Sequence, residues 1–252
     1  MTSARRCAVA AAGPALALLL CLALPSPTSA SSDGFAELSW GVRAGGIFAQ
    51  HVGTEERDPE YDVQSEWREG LTAAVFVYWP VTERFGLQQE IVYAQKGSSQ
   101  RIGVDVLDIP TTLDVTYEMD YIEIPTLTRF VWLRLDDASF YSLAGMAMSL
   151  KIADHYELRG EVTDGVETVP ITADSDMSEV DLFDFSVIYG LGYEFESMDQ
   201  TWLIEYRFSM SWSTLMVPTY AYVPFGDDEL FIDNPYVPLK NQNHSISLGV
   251  RF

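Results

Sequence analysis

The chain offers few groups for covalent chemistry and many for holding cations. Its only imidazoles are His51, His155 and His244. Ser245 stands next to His244 and Ser247 three residues beyond it; in an extended strand both serines point to the face opposite the histidine. Neither pair can make the nucleophile–base contact that activates a hydroxyl, so no catalytic residue is assigned. Carboxylates number 37 against 15 lysines and arginines, a net charge of −22. They concentrate in three stretches. The first holds Glu55, Glu56, Asp58, Glu60, Asp62 and Glu66. The second holds Asp154, Glu157, Glu161, Asp164, Glu167, Asp174, Asp176, Glu179 and Asp181, and the third Asp227, Asp228, Glu229 and Asp233. Oxygen ligands at such density could hold divalent cations. No stretch has the spacing of a recognised calcium loop, however, and a solvated acidic surface is the simpler account. No metal site and no cofactor are expected. A surface of this sign repels phosphates, which excludes nucleic acid as a partner.

The first thirty residues differ from the rest. Arg5 and Arg6 precede an apolar run from Ala8 to Leu24, broken only by Gly13 and Pro14, and a small-residue tail ends in Thr28-Ser29-Ala30. That is the layout of a secretory signal peptide. Residues 1–30 are therefore expected to be removed, leaving 31–252 as one domain; an uncleaved anchor is the alternative. A lipidated start at Cys21 is a poorer fit, because bulky Leu20 precedes it. Cys7 and Cys21 both fall in the leader, so the mature chain has no thiol, disulfide or cysteine-based metal site. Its charge becomes 13 minus 37, or −24.

No later run approaches the roughly 18 apolar residues of a spanning helix. Alternation recurs instead. From Phe183 to Phe195 the odd positions are almost all large and apolar, the even ones mostly small or polar. Side chains at period two line opposite faces of a strand, and the run covers the ~9–11 residues that a tilted strand needs to cross a bilayer. Trp202, Ile204, Tyr206, Phe208, Met210 and Trp212 repeat the pattern, as do Ile246, Leu248, Val250 and Phe252, and Phe85, Leu87, Ile91 and Tyr93. Less regular strands are expected at roughly 36–50, 68–79, 116–132 and 139–152, making eight. Between them, tight turns at Pro80–Arg84, Leu133–Ala138 and Glu196–Gln200 alternate with long polar stretches at about 51–67, 97–115, 153–181 and 213–240. Short turns on one side and long loops on the other is the arrangement of outer-membrane barrels.

Three features turn the greasy face outward rather than into the lumen of a soluble, lipocalin-like barrel. Trp40, Trp79, Trp132, Trp202 and Trp212 sit near strand ends, where rings prefer the headgroup level. The opposite face carries Arg43, Glu90, Lys96, Glu123, Arg129, Glu194, Glu205, Arg207 and Arg251; a charge facing lipid near the midplane costs a few kcal/mol. The chain also stops on Phe252, at the end of an alternating strand. The fold expected is all-β: an eight-stranded, antiparallel, up-and-down transmembrane β-barrel in the bacterial outer membrane.

Several of these segments together resemble one family. They are Gly41-Val42-Arg43-Ala44-Gly45, the run from Phe85 to Gly97, Tyr121-Ile122-Glu123-Ile124-Pro125, Tyr141-Ser142-Leu143-Ala144-Gly145 and Leu248-Gly249-Val250-Arg251-Phe252. Over roughly 38–252 the chain resembles the PorT-like outer-membrane β-barrel family. The resemblance implies an eight-stranded outer-membrane barrel and no assigned reaction. Its founding member is linked to protein secretion and gliding, a role that likeness of fold does not transfer.

An eight-stranded barrel is just wide enough for its own side chains to fill it. Glu90, Lys96, Glu123, Arg129, Glu205 and Arg207 are therefore expected to neutralise one another as a structural network, without an open pore. Tyr220, Tyr222, Phe225, Phe231 and Tyr236, interspersed with prolines, are candidate contacts for another envelope or surface protein, although they could instead pack on the barrel rim. The function expected is structural or interactive, with outer-membrane lipid, a surface partner or divalent cations as the contacts. A lipid-modifying hydrolase or acyltransferase and a narrow channel are the alternatives.

Overall fold

The computed structural model describes residues 38–53, 62–106, 109–163, 168–175, 181–216, 221–225, 228–232 and 238–252. The leader expected at residues 1–30 lies outside the described residues. Strands in chain order are β1 (Ser39–Val52), β2 (Asp62–Glu66), β3 (Arg68–Pro80), β4 (Phe85–Val106), β5 (Ile109–Arg134), β6 (Ala138–Thr163), β7 (Thr168–Ser175), β8 (Phe183–Ser197), β9 (Gln200–Ser211), β10 (Leu215–Met216), β11 (Ala221–Phe225), β12 (Asp228–Ile232) and β13 (Pro238–Arg251). Eight of them, β1, β3, β4, β5, β6, β8, β9 and β13, pair each with the next, antiparallel throughout. Pairing of β1 with β13, from Gly41↔Arg251 to Val52↔Lys240, closes the ring. The last residue reinforces the seam: the Phe252 amide donates to the Trp40 carbonyl at 2.8 Å, and the two rings lie 4.6 Å apart.

Alternation decides what faces where. Leu71, Val75, Val77, Ile91, Met146, Leu191, Ile246 and Leu248 are exposed on the outer wall, while their strand neighbours Thr72, Phe76, Val92, Ala147, Gly190, Ser245 and Ser247 are buried. An apolar exterior over a polar interior is the inverse of a soluble protein and suits a wall in contact with lipid. At the end with the short turns, rings form a near-continuous band: Trp132 to Phe140 is 5.5 Å, Phe140 to Tyr193 4.7 Å, and Phe85 to Phe130 4.9 Å.

The stretches expected as polar loops at 97–115 and 153–181 are largely strand. β4, β5 and β6 run on well past the wall; β2 joins β4 and β7 joins β6. The result is a β-sheet projection on the long-loop side. Ile102, Leu113, Val115, Tyr117, Met119 and Leu158 face inward from it and are buried. Membrane thickness limits how much of a strand contacts lipid, not how far it can be paired, and that is why the lengths expected from the bilayer were too short. The alternation is also masked in β6. The β5–β6 register slips between Asp120 and Tyr121, so that Asp120 faces Ala153 and Tyr121 faces Lys151. One extra residue reverses which parity points inward: Ser149 and Lys151 are buried below the slip, Leu158 above it.

Two of the segments that carry the family resemblance, Phe85 to Gly97 and Tyr121 to Pro125, meet along the β4–β5 seam. Pro125 has no amide hydrogen, and the ladder jumps from Gln89↔Thr126 to Val92↔Glu123. Outward-facing Gln89 bridges the gap: its amide donates to the Pro125 carbonyl at 2.9 Å and accepts from the Thr126 hydroxyl at 2.7 Å. One step along, the Tyr93 hydroxyl donates to Asp120 and the Gln95 amide to Tyr93. Gly97 ends the unit with φ of 144°, and a Cβ there would stand 2.0 Å from the Tyr117 carbonyl oxygen. Only glycine tolerates both conditions. Replacing Gln89 by leucine is expected to destabilise the barrel by about 1–3 kcal/mol, the cost of leaving a carbonyl without its donor away from water. Equilibrium urea unfolding from lipid vesicles measures it; an unchanged midpoint would mean that Pro125 does not depend on Gln89.

Candidate functional site

The lumen gathers the charged residues into three groups. In the largest, Arg207 reaches both Glu90 (2.7 Å) and Glu205 (2.6 Å). Arg43 pairs with Glu90 at 2.9 Å and lies 3.8 Å from Glu205. The Gln88 amide donates to Glu90, and the Tyr141 hydroxyl to Glu205 at 2.7 Å. Two guanidiniums and two carboxylates thus form a square whose members come from β1, β4 and β9, with almost no exposure. Nearer the short turns, Glu194 lies between Arg129 and Arg251 and accepts from Ser139. The Arg129 guanidinium stacks 3.5 Å above the centre of the Tyr141 ring and 4.8 Å from that of Tyr78, a cation–π contact in a desolvated setting. Tyr141 therefore ties this group to the square, and Gly192 makes room for it: a Cβ there would fall 2.1 Å from its ring.

The third group lies toward the long-loop side. Lys96 pairs with Glu123 at 2.5 Å, Ser149 donates to the same carboxylate, and Lys151 pairs with Asp154. Asp184 is held by hydroxyls and an amide, from Ser211 (2.6 Å), Ser213 (2.5 Å) and Asn241 (3.1 Å).

All six residues expected as a lumen network, Glu90, Lys96, Glu123, Arg129, Glu205 and Arg207, point inward and are buried. They do not form one cluster: Glu90, Glu205 and Arg207 meet, Lys96 and Glu123 meet, and Arg129 turns to Glu194. Among the described residues the interior holds six basic groups, Arg43, Lys96, Arg129, Lys151, Arg207 and Arg251. It holds six acids: Glu90, Glu123, Asp154, Asp184, Glu194 and Glu205. Sequence reasoning overlooked Asp184, although it occupies the polar parity of its strand. It overlooked Lys151, and it put Asp154 in a loop, because the β-bulge hides their shared face.

The histidines are dispersed. His244 faces outward and shares a 2.6 Å hydrogen bond with the Tyr206 hydroxyl, whereas Ser245 and Ser247 are buried on the other face. His51 lies inside beside the Tyr117 ring, at 5.7 Å. His155 stands on the projection, 3.4 Å from Asp174. Burial and the Asp174 carboxylate hold the nearby Tyr156 hydroxyl above its ordinary pKa.

Of the candidate loop contacts, Tyr220 and Tyr236 lie outside the described residues. Tyr222 and Phe225 belong to β11 and Phe231 to β12, which form a separate two-stranded hairpin. Many loop acids also lie outside the description: Glu55, Glu56, Asp58, Glu60, Asp164, Glu167, Asp176, Glu179, Asp227 and Asp233. Among the described residues no group of three or more histidine, cysteine, aspartate or glutamate side chains is placed to hold a metal ion.

Residues 28–215, most of the chain, match the family described as outer membrane protein beta-barrel domain. The chain belongs to that family. With the lipid-facing wall, membership places the protein in the bacterial outer membrane. No curated protein matches the sequence. Among solved structures the chain is similar to Ail, the attachment invasion locus protein of Yersinia pestis, with 13% identity over 86% of this chain and 99% of that one and a TM-score of 0.35. Neisserial surface protein A shows 11% identity over 85% and 97%, with a TM-score of 0.36. OprG from Pseudomonas aeruginosa shows 8% identity over 88% and 99%, with a TM-score of 0.43.

Removing one member of the buried square strands the others. Glu90→Ala is expected to cost about 3–5 kcal/mol, because two guanidiniums lose their shared carboxylate away from water. Asp114→Ala, which breaks an exposed pair with Arg101 on the projection, is expected to cost at most about 1 kcal/mol. Paired unfolding curves in the same vesicles compare them; equal effects would contradict the picture of a dry, interlocked lumen.

Proposed function

We propose that the protein, exported by a leader at residues 1–30, is a PorT-like barrel that neither conducts nor catalyses. In this reading it presents an acidic β-sheet projection to another envelope or surface protein, or to divalent cations. The observation that carries the reading is where the charge lies. The mature chain has 13 basic and 37 acidic residues. Six of each are balanced inside the barrel, which leaves seven basic and 31 acidic residues elsewhere. The net charge of −24 therefore comes from residues other than these balanced interior groups. Glu66, Asp114 and Asp174 on the projection keep more than half of their side-chain surface exposed. Such a field steers cationic partners toward the barrel and repels anionic ones.

The same balance argues against conduction, since permeant ions would have to displace interlocked pairs. The buried apolar residues within the projection add a second barrier above them. Support for the PorT-like assignment comes from the β4–β5 seam, where Gln89, Tyr93 and Lys96 contact partners in or beside the Tyr121–Pro125 segment and Gln95 donates to Tyr93. Site-specific crosslinking in intact cells, from a photoreactive residue at Tyr222, tests the interaction role. A discrete crosslinked partner that disappears when the long-loop projection is removed is expected. Capture of nothing but lipid would contradict it. In planar bilayers the purified protein is expected to give no sustained openings, and discrete steps of current would overturn the closed reading.

A further inference from the structure

The outer wall is not uniformly convex. Where β4, β5, β6 and β8 meet, a groove of about 460 Å³ opens on the lipid side, within the roughly 300–1,000 Å³ typical of sites for small organic ligands. Leu87, Met146 and Tyr189 stand as its walls, and Thr126, Thr128 and Ala144 form its shallow side. Its floor is the backbone at Leu127 and Gly145, both of the parity that faces the lumen. The threonines add little polarity. The Thr126 hydroxyl is spent on Gln89 and that of Thr128 on the Ala144 carbonyl, at 2.7 and 2.9 Å. No charged side chain lines the groove.

Position selects the occupant. Leu87 is the third residue of β4 after a short turn, and Thr128 and Ala144 flank the next short turn at about equal distances along β5 and β6. The groove therefore runs from the middle of the wall toward the short-turn side, and it is continuous with the surface already in contact with lipid. We infer that it holds one acyl chain of a phospholipid from the leaflet on the short-turn side. A hydrocarbon tail fits a narrow, uncharged furrow whose polar groups are already satisfied. A second copy of the barrel fits less well. A two-fold contact places the same patch against itself, so groove would face groove and leave space unfilled. In lipid, association depends on close packing.

The test uses the full mature protein, purified from outer membranes in mild detergent and also reconstituted with a phospholipid that carries a photoreactive diazirine in one tail. The unmodified protein is expected to retain phospholipid through washing, and its label is expected to concentrate on Met146 and Tyr189. Ala144→Phe, which fills the furrow, is expected to lose both. Leu248→Phe, a lipid-exposed site on the far strand β13, is expected to lose neither. Label spread evenly around the wall overturns the proposal. So does retention of lipopolysaccharide in place of phospholipid, or a crosslinked dimer through this face. Should Ala144→Phe fail to insert, the distribution of label on the unmodified protein decides alone.

Discussion

A chain that crosses hydrocarbon must satisfy every backbone amide and carbonyl from within itself, and the pairing of β1 with β13 is what allows this one to do so. Without that seam the wall would present two rows of unpaired polar groups to lipid, each costing several kcal/mol. The rest of the architecture follows from closure. A closed ring fixes which parity points inward on each strand, and so sorts rings and aliphatics outward and ionised groups inward. Local devices serve the same requirement. Gln89 lends a side-chain amide where Pro125 cannot keep the ladder regular, and Thr128 bonds to the Ala144 carbonyl.

Closure also creates the problem that the lumen solves. A narrow barrel encloses its inward side chains in a low dielectric, where a lone charge is costly and a pair is tolerable only if its remaining donors and acceptors are met. In the square of Arg43, Glu90, Glu205 and Arg207, Gln88 and Tyr141 add donors to the two carboxylates, and Arg43 Nε is left without a hydrogen bond, 3.8 Å from Glu205. Tyr141 serves twice, its hydroxyl on Glu205 and its ring under Arg129. Among the described residues the interior charges are thereby balanced, six against six.

Much of this was legible in the sequence, for identifiable reasons. Period-two alternation at 183–195, 202–212 and 245–252 survives because those strands are regular from turn to loop. The inward direction of Glu90, Arg207 and their neighbours followed from parity together with the cost of charge in lipid. Who pairs with whom did not follow, because strand tilt and register bring together β1, β4 and β9, which are far apart in the chain. Arg129 finding Glu194 rather than Glu123 is an instance. The projection was misread as loop for two reasons: bilayer thickness was taken as the limit of strand length, and the slip near Ile152 inverts parity. The outer groove left no trace in the sequence, since it depends on small side chains on one strand lying between large ones on others.

Closure itself can be tested by trapping the seam. Val42 and Val250 face each other across β1 and β13 on the outer wall, at the few ångströms' separation that a disulfide can bridge. Beyond Cys7 and Cys21, within the first thirty residues, the sequence has no cysteine. Oxidation of Val42→Cys/Val250→Cys protein in intact outer membranes should give an internal disulfide joining the two ends of a single chain. Free thiols, or crosslinks only between chains, would contradict the closed barrel.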